Sequence, residues 1–93
     1  MIKSFNCRET RNLFNRIKSL KLPNDIQKTA LRKLLILHAA IDINDLRIPP
    51  ANHLESLKGK LKGKHSIRIN DQWRIIFRWE NGNAYEVELI DYH

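Results

Sequence analysis

Residues 72–79 read QWRIIFRW, and the fold turns on them. Trp73, Ile75, Phe77 and Trp79 alternate with Gln72, Arg74, Ile76 and Arg78, the period of two that sends successive side chains to opposite faces of a strand. The apolar set needs a covering layer, so one face of a sheet is packed while the other carries arginine. HSIRI (65–69) precedes this strand and AYEVELI (84–90) follows it, with turn residues ND (70–71) and NGN (81–83) between them. For Tyr85, Val87 and Leu89 to share the packed face, Trp79 must oppose Tyr85 and Phe77 must oppose Val87, which asks for a three-residue loop, Asn81-Gly82-Asn83. The same reasoning aligns Ile69 with Trp73 and Ile67 with Ile75. Arg68 then lies opposite Arg74, and Tyr92 lies opposite Gln72 on the Arg74 face.

The covering layer comes from the N-terminal half. IKSF (2–5) alternates and reads as a short first strand. From Arg8 to Leu20, Leu13, Phe14, Ile17 and Leu20 fall at helical spacing, with Arg8, Arg11, Arg16 and Lys18 outside them. LPND (22–25) ends that pattern, and Asn24 with Gln27 forms a capping box for a second helix. Its apolar stripe is Ile26, Ala30, Leu34, Leu37 and Ile41, widened by Leu31 and Leu35. Between Asp42 and Gly63, Pro49, Pro50, Gly59 and Gly63 break the periodicity, which predicts a long ordered loop carrying one helical turn. The expectation is one α+β domain over residues 1–93, ordered β-α-α-β-β-β, with two N-terminal helices packed on one face of a mainly antiparallel sheet.

A chain of 93 residues supports one core and one main site. Its 17 Lys and Arg against 10 Asp and Glu give a formal charge of +7, which favours polyanionic partners: nucleic acid first, an acidic protein second, a membrane surface third. Cys7 has no partner for an internal disulfide, which points to a reducing, cytoplasmic setting. The sequence contains no run of about 20 apolar residues and no signal-like N-terminus, so a soluble, non-exported chain is expected.

Arg68 and Arg74 repel across the sheet unless an anion lies between them. LKGKLKGKH (57–65) adds Lys58, Lys60, Lys62 and Lys64 at what reads as the same end, in an alternation unsuited to an amphipathic helix. These lysines are either phosphate contacts or ordinary solvated surface. The chain then finishes on Asp91, Tyr92 and His93. Cleavage of RNA requires a base for the 2′-hydroxyl proton, an acid for the departing 5′-oxygen and positive charge on the phosphorane. His93, with an ordinary pKa of about 6.5, suits either proton role, and Tyr92 is helped toward the phenolate by neighbouring arginines. Asp91, on the other side of the strand, would orient a histidine or a loop amide. The opposing reading is that Tyr92 and His93 only finish the sheet edge. His38 reads as a partly buried helix residue and His65 as structural, while His53 lies in the basic loop within reach of a substrate. No spacing of His, Cys, Asp and Glu suits a metal site, and no cofactor is expected.

SIRINDQWRIIF (66–77) and VELIDYH (87–93), preceded by MIKSF (1–5), DIQKTALRKLLILHAA (25–40), DLRIPP (45–50) and LESLKGKLKGKHSIRINDQWR (54–74), resemble the HigB toxins of the RelE superfamily, the plasmid-maintenance killer proteins, over essentially the whole chain. The resemblance implies a metal-independent endoribonuclease that cuts mRNA in the ribosomal A site through the RNA 2′-hydroxyl. It also implies a HigA-type helix-turn-helix antitoxin, with operator DNA reached only through that partner and no membrane association. It assigns Arg74 to the phosphate, Lys58 to the LKG of the loop, and Asp91, Tyr92 and His93 to the terminal motif; Arg68 follows from register as well as from SIRIN. Some members carry a catalytic histidine just ahead of LKG, where this chain has Glu55, with His53 two residues earlier. The rival from another class is a basic RNA- or ribosome-binding translation inhibitor without catalysis. A DNA-binding regulator is weaker, because neither helix shows a turn and recognition helix rich in base-reading residues.

Overall fold

The computed structural model describes residues 1–19 and 21–91. Helices α1 (Arg8–Phe14) and α2 (Asn24–Ala39) are followed by strands β1 (Glu55–Ser56), β2 (Lys64–Arg68), β3 (Trp73–Glu80) and β4 (Asn83–Asp91). The strands form one sheet in the order β1-β2-β3-β4, antiparallel throughout. The two helices cover one face, and the core between the layers is built from Leu13, Ile26, Leu34, Leu37, Ile67, Ile75, Phe77 and Val87. The α+β architecture and the packed face of β3 are as the sequence implies.

The N-terminal segment runs parallel to β4 through bridges of Ile2 to Ala84 and Phe5 to Val87, closing the far edge of the sheet. Lys3 N donates to Ala84 O at 2.8 Å and Asn6 N to Val87 O at 3.0 Å. The loop expected between Asp42 and Gly63 holds three 3-10 turns, Ile43–Arg47, Pro50–Asn52 and Gly59–Leu61, as well as β1.

Three local expectations are corrected. Helix α1 stops at Phe14, because Arg16 takes φ +63 and Ile17 N turns back to Asn12 O at 2.8 Å; Ile17 is consequently 53% exposed. Leu20, the last member of that stripe, lies outside the described residues. The Asn24/Gln27 capping box does not form: the Gln27 amide donates instead to Ser19 O (3.0 Å) and Leu22 O (2.9 Å), bracing the α1–α2 connection. A capping box is present at the next turn, between Asp42 and Asp45. The α2 stripe ends at Leu37, since the helix ends at Ala39 and Ile41 beyond it is 82% exposed.

The β3–β4 register also differs from expectation. Glu80 pairs with Asn83, so the hairpin turns on two residues, Asn81 (φ +51) and Gly82 (φ +78), the left-handed pair of a tight primed turn. At Gly82 a Cβ would also meet Ile41 O at 3.1 Å. That turn places Tyr85 opposite Arg78 and Ala84 opposite Trp79, one residue out of step with the expected pairing. A β-bulge between Ile76 and Arg78 absorbs the difference: Glu86 takes φ +55, and beyond it Glu88 pairs with Ile76 and Leu89 with Ile75, as the alternation requires. Ala84 and Val87 therefore both face the core, while Tyr85 lies on the outer face beneath the Arg78 guanidinium, 4.6 Å from its ring centre. Ser4 Oγ accepts from Glu86 N at 2.9 Å and Arg78 Nε donates to its carboxylate at 3.0 Å, so both neighbours of the bulge hold it in place.

The two ends of the α2 stripe should differ sharply in a thermal or chemical melt. Leu37→Ala opens a cavity under the sheet and is expected to cost about 2–5 kcal/mol, whereas Ile41→Ser should fall within about 0.5 kcal/mol of the parent. An equal effect at the two positions would place Ile41 in the core.

Candidate functional site

The outer face of β3 carries Arg74, Ile76 and Arg78, and it is less open than alternation alone suggests: Arg74 is 8% and Ile76 2% exposed. The expected opposition of Arg68 and Arg74 is present in the β2–β3 register. Their guanidinium groups nevertheless part company. Arg68 forms an ion pair with Asp71 in the β2–β3 turn. Arg74 reaches across the sheet toward β1: Nε donates to Ser66 Oγ at 2.9 Å, Nη2 to the His53 carbonyl at 2.6 Å, and Nη1 lies 3.4 Å from Glu55 Oε1. The negative charge required beside the pair is thus supplied in part by the chain itself.

Each contact around Arg74 has a local origin. Ser66 sits one pleat along from Arg68 on the same face of β2, and Glu55 pairs with Ser66 across β1–β2. His53 takes φ +44 at the end of the Pro50–Asn52 turn, which points its carbonyl at the guanidinium while its side chain stays exposed. The 3.4 Å contact to Glu55 is long and the carboxylate is half exposed, so this partner is the weakest of the three. Asp91 ends the described part of β4 opposite Trp73 and accepts from the Gln72 side-chain amide at 3.0 Å. The strand thereby brings Asp91 to the Arg68–Arg74 end of the sheet; Tyr92 and His93 lie outside the described residues.

The lysine loop belongs elsewhere. Lys58, Lys60 and Lys62 are exposed in the β1–β2 connection, at the Lys64 end of β2, about 13 Å along the strand from Arg68. Lys64 itself faces Glu86 at 3.9 Å, beside the Arg78 pairs with Glu80 and Glu86. Arg78 holds the Glu86 carboxyl below the usual range, with Lys64 adding to the effect. The lysine loop and the Arg68–Arg74 pair therefore lie toward opposite ends of β2. A shallow groove of about 240 Å³ lies on the helix layer instead, over Leu13, Ile17 and Leu31 and rimmed by Arg16, Lys18 and Lys28.

The remaining histidines are structural. His38 Nδ1 accepts from Ile2 N at 3.1 Å and its ring packs on Phe14. His65 stacks on Phe77 at 5.9 Å and faces Ser56 Oγ at 3.3 Å, and burial lowers its pKa. Among the described residues no three His, Cys, Asp or Glu side chains cluster as a metal site, and no helix is long and apolar enough to cross a membrane. Ser66 and Glu55 are the site neighbours that sequence reasoning left out of its candidates. Ser66 was accessible to it through the alternation of β2; Glu55 was not, because a two-residue strand leaves no periodic trace.

Residues 3–93 match the model of a family described as the RelE-like toxin of type II toxin-antitoxin system HigB. The chain is 50% identical over 68 residues to Toxin HigB-1 of Vibrio cholerae serotype O1, covering 73% of this chain and 72% of that protein. It is 32% identical to Endoribonuclease HigB of Proteus vulgaris over 93 residues, 100% of both chains. Its fold matches the toxin in the heterotetrameric YoeB-YefM toxin-antitoxin complex from Staphylococcus aureus with a TM-score of 0.62 at 23% identity, covering 100% of this chain and 98% of that one.

Ser66→Ala strands the buried Arg74 Nε–H and is expected to cost about 1–3 kcal/mol in a denaturant melt, while Glu55→Gln, losing only a long and exposed ion pair, should cost less than about 1 kcal/mol. His65 adds a pH dependence. Its lowered pKa means that the unfolded chain binds more protons between the native value and 6.5, so its contribution is complete above pH 6.5 and declines as pH falls below it. His65→Phe should flatten that part of the curve of melting temperature against pH; an unchanged slope would assign the acid sensitivity to other groups.

Proposed function

The chain belongs to the HigB-like family of RelE-like toxins of type II toxin-antitoxin systems, and from that premise we propose that it is a ribosome-dependent endoribonuclease that cuts mRNA in the A site and so inhibits translation. The observation that carries this reading is the buried Arg74 guanidinium, held on the outer face of the sheet by Ser66 Oγ and the His53 carbonyl, at the end where β4 reaches Asp91. A guanidinium oriented by Ser66 Oγ and the His53 carbonyl is preorganised for a phosphate and need not reorganise as charge develops on the phosphorane. A phosphate oxygen can take the place of the Glu55 carboxylate, which is half exposed and held at 3.4 Å. Arg68 supplies a second cation on the same side, released from the exposed Asp71 as the RNA arrives.

The chemistry is internal transesterification. The RNA 2′-oxygen attacks the adjacent phosphorus, losing its proton to a base; the P–O5′ bond breaks and the 5′-oxygen takes a proton from an acid, leaving a 2′,3′-cyclic phosphate and a 5′-hydroxyl. Asp91, Tyr92 and His93 are the candidates for these transfers, and arginine charge stabilises the intermediate without a metal ion. The exposed Lys58, Lys60 and Lys62 contact ribosomal RNA as salt-sensitive anchors, away from the bond being cut. A HigA-type helix-turn-helix antitoxin neutralises the protein in the cytoplasm; the toxin-antitoxin complex of the related fold from Staphylococcus aureus supports an antitoxin partner.

Arg74→Lys keeps a cation but loses the planar fork that engages Ser66, His53 and a phosphate together. Single-turnover cleavage of mRNA on programmed ribosomes should fall by about 10²-fold or more, with ribosome binding retained. Primer extension after induction should map cuts within translated codons. A folded variant cutting at the parental rate removes Arg74 from the site; tight ribosome binding by the parent with no cut would favour the non-catalytic inhibitor.

A further inference from the structure

Lys33 of α2 is 5% exposed, and among the described residues no carboxylate lies within ion-pair distance of it. Its ammonium donates to Asn52 Oδ1. An isolated buried ammonium is costly, and an apolar residue of similar volume is often no worse for stability, so its presence calls for a role other than core filling. The cost is visible in its pKa, which burial lowers, with Arg32 and Arg68 adding to the effect.

An ammonium can only donate, so it admits one orientation of the Asn52 amide: Oδ1 toward Lys33 and Nδ2 away from it. In that orientation Nδ2 donates to Leu46 O at 3.1 Å and Ile48 O at 3.3 Å, tying Asn52 back to the segment that leads into the Pro50–Asn52 turn. Asn52 is fully buried and is the last residue of that turn. The next carbonyl in the chain, that of His53, makes the 2.6 Å contact with Arg74 Nη2.

We propose that Lys33 and Asn52 are positioning residues for Arg74: the buried ammonium fixes the Asn52 amide, the amide fixes the Pro50–His53 turn, and the turn aims the His53 carbonyl that orients the guanidinium. One residue of the helix layer, acting through one of the loop, thereby sets the geometry of a group on the outer face of the sheet. The consequence for cleavage rests on Arg74 being the phosphate-binding residue, but the positioning itself does not.

Two variants test it. Lys33→Met keeps the apolar stem and removes the ammonium; Asn52→Asp keeps an acceptor for Lys33 but has no amide to donate to Leu46 and Ile48, so its ion pair keeps the domain folded while the turn is released. The first readout is the Arg74 Nε–H signal in ¹⁵N NMR spectra, which should shift and exchange faster with water in both variants. The second is single-turnover mRNA cleavage on programmed ribosomes, well below each variant's melting temperature. Its rate should drop roughly 10²-fold, the effect of a misplacement of about 1 Å, with ribosome affinity within about twofold of the parent. A role confined to stability would lower the melting temperature and leave the Arg74 signal and the rate untouched, and that result overturns the proposal; a shifted signal with parental cleavage upholds the positioning and overturns the part of Arg74 in cleavage. If the parent itself does not cut, the nuclease reading fails, and the Arg74 signal alone decides whether the latch exists.

Discussion

The β3–β4 pair carries one more residue on β4 than on β3 between its turn and its far end, and much of the molecule depends on where that residue is placed. A tight turn at Asn81-Gly82 and a packed face bearing Val87 and Leu89 demand registers one residue apart. The bulge at Glu86 lets both hold at once. Without it, either the hairpin loop would have to lengthen or Val87 and Leu89 would turn out of the core. The left-handed backbone at Glu86 is unfavourable for a non-glycine residue and is held by Ser4, Arg78 and the parallel N-terminal segment. The same offset delivers Asp91 to Trp73 and Gln72.

The sheet's outer face shows how a cationic site can be kept within a folded domain. Arg74 is buried, yet its guanidinium is satisfied by groups of graded strength: a buried hydroxyl, a backbone carbonyl and a distant carboxylate. The first two orient it, and the third is the longest of these contacts. Arg78, four residues on, forms a closed network with Glu80, Glu86 and Tyr85, and its pKa is raised chiefly by the hydrogen bond to Glu86. Two arginines on one strand face thus serve different ends because their carboxylate partners are differently placed.

The helix layer and the loop after it are coupled through polar contacts as well as the core. Gln27 bridges to Ser19 and Leu22, His38 accepts from the N-terminal segment, and Lys33 reaches Asn52. Each joins a helix to an irregular segment that has little apolar surface of its own to bury. These are contacts in which a donor must find a buried acceptor, and such contacts fix orientation more sharply than apolar packing does.

The alternation of QWRIIFRW and HSIRI determined the packed face, the α+β class and the opposition of Arg68 to Arg74, because strand periodicity is a local property that survives any arrangement of the rest. The stripe from Ile26 to Leu37 likewise determined which side of α2 meets the sheet. Helix ends were less legible: Ile17 and Ile41 continue the apolar spacing, but the chain leaves the helical path before each, at Arg16 and after Ala39. Tyr85 was misassigned because alternation assumes an unbroken ladder and a bulge has no signature in residue type. Only the tertiary structure decided what surrounds Arg74. Glu55, Ser66 and the His53 carbonyl are brought there by β1 pairing to β2 and by a left-handed residue at the end of a short turn, both long-range outcomes with no periodicity to announce them. It also separated the lysine loop from the arginine pair, because β2 runs between them and its length in space is invisible as nearness in sequence.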